Sequence, residues 1–471
     1  MDFDAAYTMT INGAAVAGEA SFPVLNPATE AVLGAVPDCT RAELDTAVAA
    51  ARAAFPGWAA TPVAERRAAI LALSAAIAAH QDALSRLLTR EQGKPQAEAM
   101  AEVQGAAWFL AGFTDIDLPV DVVEDAGRRF ETHHVPIGVV GAISPWNFPV
   151  MLAMFKIGPA LLAGNTMVLK PSPFAPLAAL KIGEIARDIL PPGVLNVVSG
   201  GDDLGPWLTA HPGIDKLSFT GSSATGRRVM ESAAHSLKRV TLELGGNDAA
   251  IVLPDVDVQA VAEKLFWSAF ANNGQICVAT KRMYIHKDIY EPLKAAIVEY
   301  AKGVKVGDGS EQGTGIGPIN NKPQYDRVIA LIEDAKANGY DFLMGGDTAR
   351  AEGYFIPITI LDNPPETSRI VREEQFGPVL PLLRFDDIDE AVARANDSEY
   401  GLAGSVWSGS EAAAVAVANR LGTGTVWIND LQALSPRAAF GGHRQSGLGI
   451  EGSVHGLLEY TLPRTVVTTL A

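Results

Sequence analysis

The apolar positions of this chain follow two rhythms. Helical spacing dominates several long segments. Residues 40–55 open on a Thr with Glu43 three residues on, the spacing of a capping box. Residues 63–89 form an Ala/Leu-rich run with its charges on one side, which predicts one long helix. Between such segments lie short apolar runs bounded by Gly or Pro: 139–143, 166–169, 194–198 and 216–219, with a helix predicted over 176–190. The alternation resumes after Gly245, with a strand at 249–253, a helix at 258–272 and a strand at 282–286. Strands that alternate with helices predict parallel sheets covered on both faces. The fold class is therefore α/β, with two doubly wound parallel-sheet domains in succession. Two stretches depart from this rhythm. Residues 118–136 read as a hairpin turning at Asp125-Ala126-Gly127, and 460–470 as a Thr/Val-rich terminal strand. Exposed strand edges pair readily with other chains, so both are candidate assembly elements.

Composition narrows the function. The 471 residues suit two or three domains, and 48% hydrophobic with 19% charged residues excludes a disordered chain. A net charge of −17 disfavours nucleic acid as a partner, so an anionic ligand needs a local device such as a helix N-terminus. Only Cys39 and Cys277 are present, and no CxxC or HExxH occurs, so no metal site is expected. Residues 1–10 carry Asp2 and Asp4 and no basic n-region, unlike a signal peptide. The longest apolar stretch, 150–163, is interrupted by Lys156 and Pro159 and falls short of the ~18 residues of a membrane span. The expectation is a cytoplasmic protein without membrane contact.

Three residues carry candidate chemistry. Cys277 ends Asn272-Asn273-Gly274-Gln275-Ile276-Cys277, a turn between a long apolar helix and a strand. An isolated Cys is ordinarily a buried structural thiol, but a Gly and two amides before it mark backbone that approaches a ligand. Glu243 sits in an apolar run that ends in Gly245-Gly246, where a carboxylate is costly to bury and the glycines open room beside it. Asn147, in Pro145-Trp146-Asn147-Phe148-Pro149, follows the 139–143 run, at the strand end where open α/β sheets bind ligands. Its amide can donate to a developing oxyanion.

Together these pieces resemble the aldehyde dehydrogenase family across nearly the whole chain. The motifs are PWNFP at 145–149, LELGG at 242–246, GQIC at 274–277, EEQFGPV at 373–379 and FGGHRQSG at 440–447, in matching order and spacing. The resemblance implies that Cys277 attacks an aldehyde and that Asn147 and the Cys277 N–H hold the oxyanion. A nicotinamide takes the hydride, and Glu243 activates the water that hydrolyses the thioester. Glu451 matches a proton-relaying carboxylate, with an exposed helical Glu as the competing reading. Gly221 and Ser222 match the turn at the pyrophosphate, Lys170 the lysine on the adenosine ribose, Glu374 the carboxylate on the nicotinamide ribose, and Phe376 and Trp146 its neighbours, with Gly245 beside them. The implied division is 1–117 and 137–245 for the dinucleotide, 246–445 for catalysis, 118–136 and 461–471 for oligomerisation, and 446–460 as a return onto the cofactor domain. A homodimer or homotetramer is expected. The GxGxxG spelled by 447–452 has no βαβ unit around it and is not a dinucleotide fingerprint.

Departures from the family pattern bear on specificity. Pro173 stands where many NAD-preferring members carry a Glu, so Lys170 and Ser172 could hold a 2′-phosphate; NAD is placed ahead of NADP. Ala271 replaces the Arg that clamps short acidic semialdehydes. Phe148, Phe155, Ile276 and Phe440, with Trp267 and Phe270, predict an apolar lining for an aromatic or medium aliphatic aldehyde. Trp108 and Phe109 are candidates for the entrance, and Arg437 and His443 for a polar substrate tail. A semialdehyde dehydrogenase with such a tail and a non-redox thiol esterase or acyltransferase are the alternatives.

Overall fold

The computed structural model describes residues 2–4, 6–349 and 352–470. The capping box forms as spaced: the Thr40 side chain accepts from Glu43 N, Glu43 reaches back to Thr40 N, and the helix runs Arg41–Ala60. The 63–89 run is not one helix. It breaks at His80 into Val63–Ala79 and Gln81–Gln92, bent by 71°. The His80 N–H bonds the Ala76 and Ile77 carbonyls together, which tightens the last turn, and the His80 ring nitrogen lies 2.8 Å from the Ala76 oxygen. Periodicity carries across such a break, because both pieces bury the same kind of face. The two other predicted helices are shorter than their patterns, at Leu177–Ala186 and Val258–Phe270.

Two large sheets organise the chain. The first has eight strands in the order Ala14–Val16, Met9–Ile11, Leu195–Val197, Thr166–Lys170, Val139–Ile143, Lys216–Thr220, Arg239–Glu243 and Gly447–Leu448. Its five central strands are parallel, and the outer ones antiparallel. The second sheet runs Phe342–Met344, Thr359–Asp362, Val379–Phe385, Thr280–His286, Asp248–Val252, Ala403–Trp407 and Thr425–Ile428. It is parallel apart from its first strand. A third sheet joins Thr461–Thr469, Arg128–Pro136 and Asp121–Asp125, all antiparallel. The hairpin turns where predicted, with Ala126 and Gly127 both left-handed. Ala471, the last residue of the expected tail, lies outside the described residues. Glycines in 447–452 serve packing: at Gly447 (φ 152°) a Cβ would strike the Leu242 carbonyl of the neighbouring strand. Among the described residues, no single helix is long and apolar enough to cross a membrane.

Candidate active site

In the first sheet the strand order reverses between Val139–Ile143 and Lys216–Thr220, and the loops leaving these strands open a crevice. Trp146 and Asn147 follow the first strand. Gly221 and Ser222 follow the second and open the helix Ser223–Ala234, where the Ser222 hydroxyl caps Thr225 N. Glu243 ends the adjoining strand. From the second sheet, Cys277 precedes Thr280–His286, and Glu374 and Phe376 precede Val379–Phe385. All of these residues, and Gly245, line one cleft of about 380 Å³.

The turn that presents Cys277 is left-handed at three successive residues, Asn272 (φ 48°), Asn273 (φ 58°) and Gly274 (φ 69°). Asn tolerates this region better than most residues. Only Gly fits the third position, because a Cβ on Gly274 would strike the Gly377 carbonyl. The sequence Asn-Asn-Gly is thus what the backbone demands. Past the thiol, Lys281 Nζ donates to the Ile276 carbonyl at 2.8 Å and the Cys277 carbonyl at 2.6 Å.

Burial pushes the Cys277 thiol well above its ordinary value, Glu243 pushes it further, and Lys281 opposes both. Burial likewise raises Glu243, with Glu451 adding and Lys156 and the Cys277 thiol opposing. Neither buried Glu243 oxygen has a conventional hydrogen-bond donor. A thiol that donates to a neighbouring buried carboxyl can hold and pass a proton. Buried Asn147 donates from Nδ2 to the Gln275 carbonyl at 2.9 Å. An amide has two N–H donors, so one remains for a ligand.

Phe376 is itself left-handed (φ 52°) and meets Trp146 edge to face at 5.3 Å. Gln324 Nε2 holds the strained stretch by donating to the Gln375 and Phe376 carbonyls at 3.0 Å each, and Arg327 donates to the Glu374 carbonyl at 3.0 Å. Burial raises the Glu374 carboxyl, against Lys281 and a bond from Gly246 N at 3.1 Å. Sequence reasoning missed Gln324 and Arg327, which also line the cleft. They sit on the helix Lys322–Ala337, whose polar face gives no sign of a site.

Glu451 is buried rather than exposed on a helix. It accepts from Lys156 Nζ at 3.0 Å, and Lys156 donates to Thr220 Oγ1 at 2.7 Å, on the cleft wall. Its backbone also pairs with Phe440. Lys170 and Ser172 are not among the lining residues. They stand at the end of the adjoining strand, with Lys170 Nζ on the Pro171 carbonyl at 3.2 Å. Burial lowers the Lys170 ammonium to about 8, with Asp202 and Asp38 opposing.

The apolar lining is only partly as expected. Phe148, Ala271, Ile276 and Phe440 gather with Cys277 and Leu434 in one cluster. Phe155 belongs to a second, where it lies 4.2 Å from the Phe109 ring, and Leu434 packs on both clusters. Phe270 and Trp267 belong elsewhere. Phe270 stacks on Phe266 at 4.7 Å, and Trp267 Nε1 donates to the Tyr300 hydroxyl at 2.9 Å. Their helix turns that face to the helix Lys287–Lys302, away from the thiol. Trp108 is exposed, and Arg437 pairs with exposed Asp115 at 2.6 Å.

The cleft suits a dinucleotide. A 12-residue helix points its N-terminus into it, and Gly245 leaves a gap in which a Cβ would strike the Glu374 carboxylate.

Known proteins resemble the chain over nearly its whole length. The family model described as "Aldehyde dehydrogenase family" matches residues 15–466. A Pseudomonas protein described as "Probable aldehyde dehydrogenase" is 44% identical over 99% of this chain and 96% of its own length. The chloroplastic betaine aldehyde dehydrogenase of Beta vulgaris is 40% identical over 95% of this chain and 93% of its own. The NAD⁺ complex of an aldehyde dehydrogenase from Bacillus cereus superposes with a TM-score of 0.97 at 37% identity, covering 100% of this chain and 98% of that one.

Proposed function

Because the chain belongs to the aldehyde dehydrogenase family, we propose that it oxidises an apolar aldehyde to the free carboxylic acid, with NAD⁺ ahead of NADP⁺. The observation that carries this reading is the meeting of the Cys277 thiol, the Asn147 amide and the Glu243 carboxyl on one cleft. The Cys277 thiol gives its proton to water in the cleft and the sulfur bonds the carbonyl carbon, whose oxygen takes the π electron pair. The free Asn147 N–H and the Cys277 backbone N–H hold that oxygen. A nicotinamide cofactor, when bound, supplies the acceptor for the hydride that leaves this carbon. A thioester remains on Cys277. Glu243 takes a proton from water, the oxygen adds to the thioester, the C–S bond breaks, and the acid departs. Glu451, Lys156 and Thr220 carry the proton outward.

Gly221 and Ser222 hold the pyrophosphate, Glu374 the nicotinamide ribose, and Lys170 with Ser172 the adenosine ribose. Trp146 and Phe376 flank the nicotinamide, beside Gly245. Residues 1–117 and 137–245 act as the cofactor domain and 246–445 as the catalytic domain, in a cytoplasmic homo-oligomer. The cluster of Phe148, Ile276, Phe440 and Leu434 around the thiol supports an aromatic or medium aliphatic substrate. The name of the Beta vulgaris relative favours a second reading, an aldehyde with a polar tail.

The test is the absorbance of reduced cofactor with benzaldehyde, hexanal and betaine aldehyde, each with NAD⁺ and NADP⁺. Wild type is expected to form reduced cofactor and Cys277→Ala none. Glu243→Gln is expected to give a burst near one equivalent and then stall. Turnover by Cys277→Ala would remove the thiol from the mechanism, and aldehyde-independent ester hydrolysis alone would point to the non-redox reading.

A further inference from the structure

A buried charged cluster lies behind both the thiol and the amide. Glu98 and Glu102 are one turn apart on the helix Gln96–Phe113, and Lys94, in the segment just before that helix, reaches Glu102. None of them lines the cleft. The side chains of Lys94 and Glu102 are fully buried and paired at 2.5 Å. Lys94 Nζ also donates to the Asn147 carbonyl at 2.9 Å and lies 3.7 Å from the centre of the Phe148 ring. Glu102 Oε1 accepts from Val150 N at 2.9 Å and Met151 N at 3.2 Å, where the next helix begins. Glu98 accepts from Asn272 N at 3.0 Å, the first left-handed residue of the thiol turn. Asn272 Nδ2 donates in turn to the Asn147 carbonyl at 3.0 Å, closing the web.

Stability does not explain this arrangement. A buried ion pair gains little over well-packed apolar side chains of similar volume. Here the bonds beyond the pair itself end on the backbone of the Asn147 loop, the helix that follows it, and the Cys277 turn. Those two loops come from different sheets, and no strand pairing joins them. We propose that Lys94, Glu98 and Glu102 are positioning residues that set the spacing between the Cys277 sulfur and the Asn147 amide. This rests on the reading of Asn147 as oxyanion donor. Lys94 and Glu102 hold the amide side, and Glu98 holds the thiol side. A misplacement of about 1 Å in such a pair costs about 100-fold in rate.

The test is a double-mutant cycle of Lys94→Met with Asn147→Ala, in the full-length enzyme with NAD⁺ and the best aldehyde of the panel. Lys94→Met is expected to lower kcat by about 10- to 100-fold while leaving KM for NAD⁺ and the alkylation rate of Cys277 by iodoacetamide unchanged. On the Asn147→Ala background it is expected to cost nothing further, since the group it positions is gone. Glu98→Gln is expected to change the alkylation rate, which Lys94→Met does not. Equal losses from Lys94→Met in both backgrounds would mean a purely structural role and overturn the proposal. Should Lys94→Met fail to fold, Glu102→Gln takes its place in the cycle, because it keeps an oxygen for the helix N–H groups. Asn147→Ala with wild-type kcat would instead overturn the oxyanion assignment itself, and this inference with it.

Discussion

Single side chains in this protein show how burial and charge set proton affinity. Asp248 heads a central strand of the second sheet. Its Oδ1 accepts from Ala403 N at 3.2 Å, and its Oδ2 is buried without a partner. Burial raises the carboxyl from 3.8 to about 7, with Lys281 opposing. The folded state thus keeps a proton that the unfolded chain loses between those values. The stability this contributes is complete below the window and is lost as pH rises to about 7. Asp248→Asn cannot ionise, so it is expected to remove this part of the decline. Its melting temperature relative to wild type should rise across the window, and parallel curves would reject the assignment. Glu243 follows the same direction in activity. A base must be deprotonated to act, so hydrolysis of the thioester should climb with pH above the ordinary carboxylate range. Single-turnover rates should lose that limb in Glu243→Gln. In the sequence, glycines beside Cys277 and Glu243 and the apolar run before Asn147 drew attention to these residues, and the family motifs joined them into one site. Lys94 and Glu98 gave no such sign, since a polar residue at a helix entry or on a helix acquires meaning only from what lies across from it.

At the scale of elements, the turn before the thiol is the most constrained piece of backbone in the site. Gly274→Ala is expected to abolish turnover and lower the melting temperature, because φ is 69° and the new methyl would strike the Gly377 carbonyl. Gly127→Ala is the matched control. Its φ is 74°, with no atom within 4 Å of a Cβ, so only the conformational cost of about 1 kcal/mol applies. Comparing the two variants by melting and activity separates backbone strain from collision; equal effects would contradict the crowding at Gly274. Elements whose faces are uniformly apolar were the least legible. The helix Val258–Phe270 has an apolar character that does not say which side meets the cleft, and Trp267 and Phe270 therefore read as lining when they belong to the core. The break at His80 was hidden for a different reason, because the apolar period runs on from Val63–Ala79 into Gln81–Gln92.

The whole molecule poses a problem of edges. Alternating strands and helices announced both parallel sheets. The antiparallel additions at their margins, such as Gly447–Leu448, are too short to carry any period. The third sheet is different, because its strands are long and its surface is open. Thr461–Thr469 pairs with Arg128–Pro136 along its full length. Asp121–Asp125 forms the outer edge, with every residue exposed. Val122, Val123, Val466 and Val467 are about half exposed, at 49%, 58%, 47% and 52%. Val123 and Val467 flank Phe130 on one face of this sheet, an open apolar patch of the kind that subunit contacts cover. The expectation is that copies of the chain cover it. Light scattering should then give a mass of two or four times 49.5 kDa. Removing 461–471 should lower that mass, since it strips one strand and exposes the edge of the next. Val123→Lys should weaken assembly while leaving the active site intact, because its strand contributes nothing to the cleft. A monomeric wild type would mean that this edge is tolerated bare. Unchanged mass in both variants would place the subunit contact on another surface.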